Sequence, residues 1–525
     1  MSSSPARKTT PSLPTSGWWT LLGLLACYAV WLAVQGYTYG RGDQVEVLPY
    51  TRWMQDPTLY PHDFYVQYIR AAVPNERYWF CRLLAQSGTA LPWFCAGLHL
   101  SGSLLLLGGW YRIARHYLRS EALVWVLLLA LGLPPFYGLN LGGNELYYNT
   151  FIPSLLAKSI GVWGLYAFLR ERWWPSIVAL IGSTLVHPVA GSQLFLLLGG
   201  VLLLEKGRGR LGLSWGQLGA LAGSFLLTAG AWVVLLKVQF DRGSIDPALL
   251  FEIMEFRVAH HYFPAYFSLR AYVVLLPLFA GATWFYARRI PRLAWFFGLA
   301  LLGAAVYTLG VYGLRSPSIL AAQWFKCTIW LKALALLAVL MWGEEKCPLL
   351  NRAAWRIGGR APLLGLAGFG LAGMVFPFGP FVHRTYDFPW RNGPAFATTE
   401  LDIAQRAQAL TPADATFIIP IDLTSFKYHS QRSCYIDYKT VVHRKDALPI
   451  WYQRIQAVYG IDLQDRRAGR DWQKARQQYR QRSAPEWQAF HQRGVDYLLT
   501  TTTHRLDLPL ITQNRDYAIY ALGNP

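Results

Sequence analysis

The 525-residue chain is 53% hydrophobic and only 15% charged, whereas soluble domains carry about a quarter charged residues. This composition excludes an ordinary soluble protein and predicts a polytopic membrane protein. The net charge of +20 would suggest nucleic acid in a soluble chain. However, much of it falls in short loops between apolar runs, and no nucleic-acid-binding module is recognisable, so we expect no nucleic-acid partner.

The apolar runs predict a mainly α fold. Several approach or exceed the roughly 20 residues needed to cross the hydrocarbon of a bilayer. The first run follows a polar, mildly basic tail (1–16) with no cleavage site after it, so it is predicted as an uncleaved helix. Pro188 divides one long stretch because proline breaks helices. The sequence thus predicts a bundle of about eleven transmembrane helices at 17–36, 90–111, 121–138, 151–169, 173–187, 189–204, 215–237, 270–287, 293–313, 318–342 and 361–381.

The short loops between these helices alternate in charge along the chain. One set is rich in basic residues: Arg112, Arg115 and Arg119; Arg170 and Arg172; Lys206, Arg208 and Arg210; Arg288, Arg289 and Arg292; Lys346, Arg352, Arg356 and Arg360. The positive-inside rule assigns these loops and the N-terminus to the cytoplasm. Because eleven is odd, the C-terminal region is then predicted to lie outside.

The remaining loops are predicted to share the external face. The first, 37–89, is rich in aromatic residues and predicts short interfacial helices. Two others span about 139–150 and 238–269. From about 395 the composition becomes that of a soluble domain, with strands in FIIPID, SCYIDYKTVV, VDYLLTTT and YAIYAL and a helix over 486–494. We therefore predict three regions, the tail 1–16, a transmembrane domain 17–394 and a small external α/β domain 395–525.

Two acidic residues in different external loops are candidates for catalysis. Asp43 follows the first helix in YGRGDQ, where Gly40 and Gly42 permit a tight turn. A carboxylate at the mouth of a bundle can act as a general base or bind a cation; alternatively, Asp43 caps the next short helix. Glu145, in GGNELYY, could converge with Asp43 over one cavity or be an unrelated surface charge.

Four further residues are candidates for binding an anionic substrate. His187 precedes Pro188 at the external end of a helix, where it either faces a cavity or binds the carbonyl groups freed by the proline break. RVAHHYFP contains Arg257, His260 and His261, which could hold a phosphate or, alternatively, contact lipid headgroups. Adjacent histidines lack the spacing of a helical zinc pair, so we predict no metal site there.

Two cations near the tenth predicted helix complete the set. Arg315 precedes it on the external side, and Lys326 lies within it. An unpaired cation inside the bilayer is unfavourable, so Lys326 is expected to face a polar cavity, an acid or an anionic ligand, with snorkelling to the surface as the alternative.

The pattern resembles the class C glycosyltransferases, which transfer sugars from polyprenyl-phosphate carriers on the non-cytoplasmic face of a membrane. The resemblance rests on the long first external loop with Asp43 near its start, on Glu145 in the second loop and on the external C-terminal domain. The runs GDQVEVLPY, LYPHDF, RVAHHYFP and FIIPID…QRSCYIDYK are also similar to a bacterial branch of this superfamily without an assigned substrate.

The resemblance implies an inverting glycosyltransferase in a bacterial inner (plasma) membrane. Asp43 would be the general base, with Asp56 and Asp63 of the same loop as alternatives. Arg257, Arg315 and Lys326 would hold the phosphate of a lipid-linked sugar donor, the co-substrate, and the acceptor would be a glycan, a lipid or a protein. No DxD motif occurs in the sequence, which favours a metal-independent reaction.

Two other functions fit the same sequence. A transporter or flippase of a lipid-linked or anionic substrate would place ionisable residues at the bilayer midplane within broken, repeated helices. A non-catalytic assembly protein of the cell envelope would use the C-terminal domain as a docking platform. Such a protein would tolerate substitution of Asp43 and Glu145 but not changes in 395–525.

Overall fold

The computed structural model describes residues 17–134, 136–346, 385–391, 398–467 and 471–523. Sixteen helices precede residue 347 in this part of the chain. They are α1 Gly17–Gln35, α2 Gln44–Gln55, α3 Phe64–Ala71, α4 Tyr78–Ala85, α5 Leu91–Tyr117, α6 Glu121–Leu131, α7 Pro153–Leu169, α8 Trp173–Val186, α9 Pro188–Gly207, α10 Trp215–Phe225, α11 Ala231–Phe240, α12 Pro247–Tyr262, α13 Leu269–Arg289, α14 Pro291–Tyr312, α15 Pro317–Ala321 and α16 Thr328–Lys346.

Seven helical segments of the described chain are long and apolar enough to cross a membrane: Gly17–Gln35, Gly88–Tyr117, Pro188–Gly207, Trp215–Phe240, Leu269–Arg289, Pro291–Tyr312 and Pro317–Lys346. They indicate a membrane protein and confirm the mainly helical fold. The number eleven is not confirmed. Predicted runs 121–138, 151–169 and 173–187 form the shorter helices α6, α7 and α8, and 361–381 lies outside the described residues.

Helix α6 ends seven residues earlier than predicted, at Leu131. Gly132 follows it, and Pro134 prevents the helix from continuing. The free end packs against α1, where the Trp31 indole donates to the Leu129 carbonyl at 3.1 Å and the Gln35 amide donates to the Gly132 carbonyl at 2.9 Å. These side chains satisfy carbonyl groups that a longer helix would have satisfied internally.

The segment 37–89, which the sequence predicts to be the first external loop, forms the short helices α2 to α4, as predicted, but they are not free interfacial helices. The Tyr65 hydroxyl donates to the Glu46 carbonyl at 2.6 Å and so ties α3 to α2. Phe80 of α4 packs on Phe151 with ring centroids 5.0 Å apart. On the other side, the Cys434 amide donates to the Asp63 carboxylate at 2.9 Å. The segment is therefore a layer between the helical bundle and the C-terminal region.

The described part of the C-terminal region contains six further α-helices and a five-stranded sheet. The helices are α17 Thr399–Leu410, α18 Phe426–Ser430, α19 Ala447–Tyr459, α20 Leu463–Arg467, α21 Asp471–Gln481 and α22 Ala484–Gln488. The strands are β1 Thr416–Ile418, β2 Ser433–Cys434, β3 Tyr497–Thr501, β4 Leu510–Gln513 and β5 Tyr517–Ala521. Their order is β2-β1-β3-β5-β4, with β1 parallel to β2 and β3, and β5 antiparallel to β3 and β4.

This sheet confirms the predicted small C-terminal α/β fold. The pattern missed β4, which is irregular at Leu510/Thr512 and has no buried residue. The predicted helix over 486–494 is α22 followed by a 3-10 turn at His491–Arg493. Helix α17 covers one face through Ile403, Ala404 and Ala407, which share a core with β1, β3 and β5.

Candidate functional site

A cavity of about 740 Å³ lies between α2, the α8–α9 junction, α11, α12, the α15–α16 junction and the segment after β2. Its volume is within the range of small-molecule sites, roughly 300–1,000 Å³. Six of the eight predicted site residues line it, although they come from distant parts of the sequence: Asp43, His187, Arg257, His260, His261 and Lys326.

Asp43 lies at the N-terminus of α2, directly after two glycines with positive φ, Gly40 at +73° and Gly42 at +58°. Its side chain makes no hydrogen bond to the helix N-terminus, which argues against the capping alternative. Instead, its Oδ1 accepts a 2.8 Å hydrogen bond from the Lys439 ammonium. With 54% of its side chain exposed, Asp43 presents a carboxylate to the cavity.

The other two candidate acids of the segment 37–89 are placed differently. Asp56 lies at the surface, where its Oδ1 accepts from the Thr58 amide at 3.0 Å. Asp63 is fully buried, caps α3 through Val66 and pairs with Lys427 at 3.1 Å. Neither lines the cavity. Among the three alternatives, the geometry therefore favours Asp43.

The electrostatic surroundings keep Asp43 ionised. Enclosure by protein raises the pKa of this carboxyl, but the Lys439 charge, its hydrogen bond and the nearby Lys326 lower the pKa to about 2. The lowering wins because an ammonium in contact favours the charged carboxylate more than enclosure disfavours it.

Lys326 follows a break in the predicted helix 318–342. Gln323 adopts a left-handed conformation with φ of +46°, and a 3-10 turn Trp324–Cys327 separates α15 from α16. The break leaves carbonyl groups free, and side chains bind them: the Gln193 amide donates to the Ala322 and Gln323 carbonyls at 2.7 and 2.9 Å, and the Asn144 amide donates to that of Lys326 at 2.8 Å. A broken helix is tolerated in a membrane where such partners exist.

The break places the Lys326 side chain in the cavity wall. Its acidic neighbours are Asp43 and Glu46, whose charges reach it. Within the described chain, neither carboxylate forms an ion pair with Lys326, because Asp43 pairs with Lys439 and Glu46 with Arg77. Lys326 is thus a cation available to an anionic ligand.

His260 and His261 end α12, after a kink at Val258. The His261 Nδ1 lies 3.1 Å from the Gly142 carbonyl, which can only accept, so we assign the ring proton to Nδ1. Burial, together with Lys326 and His260, holds the pKa of His261 well below its usual range. The neutral ring therefore keeps Nε2 as a hydrogen-bond acceptor.

His187 connects α8 and α9. Its Nδ1 accepts from the Ala190 amide at 3.3 Å, so the ring caps α9, with Pro188 as the first helical residue. In the neutral ring this leaves Nε2 as a donor. The Nδ1 nitrogen thus caps a helix and does not bind a carbonyl group freed at the proline break, and the same side chain lines the cavity.

Arg257 lines the cavity, but two nitrogens of its guanidinium are already hydrogen-bonded to the protein backbone. Its Nε donates to the Tyr438 carbonyl at 2.9 Å, its Nη2 donates to the Lys439 carbonyl at 2.7 Å, and the guanidinium lies over the Tyr438 ring. Two of its nitrogens thus hold the backbone that carries the Lys439 ammonium. Its geometry is that of a positioning residue rather than the predicted phosphate ligand.

Glu145 and Arg315 do not line the cavity. Glu145 is buried and pairs with Lys332 at 3.2 Å, while its Oε1 accepts from the Gly138 amide at 2.9 Å. It stabilises the loop before α7 and does not join Asp43. Arg315 is exposed, with φ of +47°, at the turn before α15.

The cavity contains polar residues that sequence reasoning missed. Lys439 and His443 reach it from the C-terminal region, nearly 400 residues after Asp43. Glu46, Glu76 and Arg77 form an ion-paired cluster in which Arg77 bridges both carboxylates. Of these five residues, only Glu46 could have been identified from the sequence, because it lies three residues after Asp43 and so shares its face of a helix.

The cavity also has an apolar side. Leu196 of α9, Val234 of α11, Leu250 and Met254 of α12 line it. Leu196 and Val234 are 56% and 62% exposed, and both lie in segments long and apolar enough to cross a membrane. The cavity therefore joins a charged end to an apolar wall that belongs in part to helices long and apolar enough to cross a membrane.

No group of three or more histidine, cysteine or acidic side chains suited to holding a metal ion occurs in the described ranges of the chain. We therefore assign no metal ligands.

A known domain family matches part of the C-terminal region. Residues 398–458 match a domain of unknown function (DUF6798). This segment includes α17, α18 and nearly all of α19, and it supplies Lys439 and His443 to the cavity. No curated protein matches the chain.

Proposed function

We propose that the chain is a membrane glycosyltransferase that moves a sugar from a polyprenyl-phosphate carrier to an acceptor. One observation carries the proposal: a single cavity combines the carboxylate of Asp43, held by Lys439, and the unpaired ammonium of Lys326 with an apolar wall between helices long and apolar enough to cross a membrane. An amphiphilic phosphate ester needs both environments, a cationic site for its phosphate and an apolar surface for its chain.

In the proposed reaction, Asp43 accepts the proton of an acceptor hydroxyl as its oxygen attacks the anomeric carbon. The new carbon–oxygen bond forms while the bond from that carbon to the phosphate oxygen breaks, and polyprenyl phosphate leaves with the electron pair. Lys326 and Lys439 stabilise the developing phosphate charge, so the step has no need of a divalent ion. A single displacement inverts the anomeric centre.

The proposed location is a bacterial plasma membrane, with the N-terminus in the cytoplasm and the C-terminal region outside. The charge of the short loops supports this orientation. Arg208 and Arg288 lie over the Trp295 and Trp284 rings, each 4.0 Å from the ring centroid. Such pairs of basic and aromatic residues are typical of a membrane interface.

Binding of polyprenyl phosphate tests the cationic site. Wild type, Lys326→Ala and Arg315→Ala would be purified in lipid nanodiscs and their Kd values measured by native mass spectrometry. Loss of one charged hydrogen bond should weaken binding about tenfold to a hundredfold in Lys326→Ala. Arg315→Ala removes a nearby external cation outside the cavity and should change the Kd less than about twofold. Equal effects, or no saturable binding to wild type, would refute the assignment.

Asp43 is tested by transfer rather than binding. Asp43→Asn should bind polyprenyl phosphate but abolish transfer from a polyprenyl-phosphate sugar. Asp56→Asn removes an exposed acid of the same segment and should keep full activity. Transfer by Asp43→Asn at the wild-type rate would remove Asp43 from the mechanism.

The break at Gln323 favours one other function, a transporter or flippase of a lipid-linked anion, because transporters use discontinuous helices at their binding sites. A fluorescent polyprenyl phosphate in proteoliposomes distinguishes the two. Protein-dependent movement between leaflets without sugar transfer would favour the transporter. An envelope assembly protein would show neither activity.

A further inference from the structure

Three buried polar atoms in the cavity wall lack a hydrogen-bond partner within the described chain: Gln239 Oε1, Gln323 Oε1 and His443 Nδ1. They come from α11, the α15–α16 break and the C-terminal region. The other ends of the two amides are used, since Gln239 donates to the Val73 carbonyl at 3.1 Å and Gln323 to the Tyr262 hydroxyl at 2.7 Å. Buried polar atoms are nearly always satisfied, so these three require a partner.

The unused groups are mainly acceptors. Both glutamines present carbonyl oxygens, and the carboxylates of Glu46 and Glu76 line the same cavity. Arg77 bridges these carboxylates but leaves them with one net negative charge. A ligand that satisfies these acceptors must supply several hydrogen-bond donors from different directions. A single serine or threonine hydroxyl has only one O–H donor and cannot do this.

Charge decides between hydroxyl and ammonium donors. Six cationic side chains and three anionic ones line the whole cavity. Two of these cations, Lys237 and Arg444, pair with Asp241 and Asp446 outside the cavity, which leaves the lining with one net positive charge. A polyamine would therefore gain no net attraction from the cavity, whereas uncharged hydroxyl groups need none. Glu46 is also one helical turn after Asp43 on α2, so hydroxyls bound at this wall lie beside the carboxylate.

We infer that this wall, formed by Glu46, Glu76, Gln239, Gln323 and His443, is a binding subsite for an uncharged, hydroxyl-rich saccharide. The inference rests on the proposed function and deepens it, because the C-terminal region then contributes directly to sugar recognition. The saccharide comes either from the lipid-linked donor or from a glycan acceptor, and both present the same hydroxyl chemistry.

Three probes distinguish these sources in nanodisc-embedded protein. They are polyprenyl phosphate alone, polyprenyl phosphates carrying a hexose, a pentose or an N-acetylhexosamine, and the soluble methyl glycosides of the same sugars. Each is titrated into wild type, His443→Phe and His443→Gln. His491→Phe serves as the matched control, because that histidine lies outside the cavity. His443→Gln keeps a polar group if the phenylalanine variant does not fold.

If the saccharide belongs to the donor, one sugar-bearing lipid should bind about tenfold more tightly than the bare lipid. His443→Phe should remove that advantage, and His443→Gln should retain part of it. If the saccharide belongs to the acceptor, the lipids should bind alike, and a methyl glycoside should bind in a manner that His443→Phe abolishes. The control variant should match wild type with every probe.

The inference is overturned if no probe shows a sugar-dependent gain in affinity, or if the gain survives His443→Phe unchanged. Failure of the proposed function looks different. Bare polyprenyl phosphate would then not bind, while glycosides would still bind in a His443-dependent way.

Discussion

A buried ion cluster between the segment 37–89 and the C-terminal region provides a stringent test of the structure. The Lys427 ammonium lies 3.1 Å from Asp63 and 3.9 Å from Asp437, and at most 2% of any of the three side chains is exposed. Lys427→Met keeps most of the side-chain volume but leaves two carboxylates buried together without a cation. We expect this variant to be severely destabilised.

The distances give the size of the effect. At an effective dielectric constant of about 20, unit charges attract by about 5 kcal/mol at 3.1 Å and about 4 kcal/mol at 3.9 Å. The energy of removing the charges from water offsets much of this attraction. Removing one partner of a buried pair typically destabilises by roughly 3–5 kcal/mol. For a domain of about 130 residues, the size of the C-terminal region, the thermal midpoint should fall by about 10–20 °C.

Asp437→Asn is the matched contrast. Burial raises the pKa of Asp437 despite the nearby ammonium, so ionising this group at neutral pH opposes folding, and asparagine removes that penalty. Thermal unfolding of detergent-purified variants, followed by intrinsic fluorescence, should show Asp437→Asn within about 1 kcal/mol of wild type. A near-normal midpoint for Lys427→Met, or equal losses in both variants, would refute the ion-cluster reasoning.

Three further outcomes follow from individual contacts. Lys439→Met removes the cation that lowers the pKa of Asp43 to about 2; because a carboxylate base acts only when deprotonated, the acid limb of the pH–rate profile for transfer should move to higher pH. Lys332→Met leaves Glu145 buried without its cation. This should lower the free energy of unfolding by roughly 3–5 kcal/mol, which a lower thermal midpoint would reveal. Gly143→Ala, at φ of +59° and with its Cβ 2.6 Å from an imidazole of α12, should destabilise by at least about 1–2 kcal/mol and weaken polyprenyl phosphate binding in the nanodisc assay.

Much of the helical fold could be predicted from the sequence because apolar runs report burial in lipid or core directly. The prediction failed where local chemistry interrupts a run. Pro134 ends α6 early, and the break at Gln323 is stable only because Gln193 and Asn144 bind its free carbonyls. Those partners lie about 130 and 180 residues away, so no local pattern could reveal them.

The site was predictable only in part for the same reason. Asp43 and Lys326 stood out because a glycine-rich turn and an intramembrane cation are unusual in themselves. Lys439 and His443 look like ordinary surface residues in YKTVVHRK until the fold brings them beside Asp43. Glu145 stood out equally well but is paired with Lys332, a partner 187 residues away that no local pattern indicates.

The contacts of Arg257 allow a decisive choice between a phosphate ligand and a positioning residue. Its two hydrogen bonds to the Tyr438 and Lys439 carbonyls need the planar fork of arginine. Arg257→Lys keeps the charge but can make only one of them. If Arg257 binds phosphate, this variant should retain most of the affinity for polyprenyl phosphate and leave the pH–rate profile unchanged. If it positions Lys439, the acid limb should move to higher pH, as in Lys439→Met, and the double variant should shift no further than Lys439→Met alone. Additive shifts would show that Arg257 acts independently of Lys439 and would restore it as a candidate ligand.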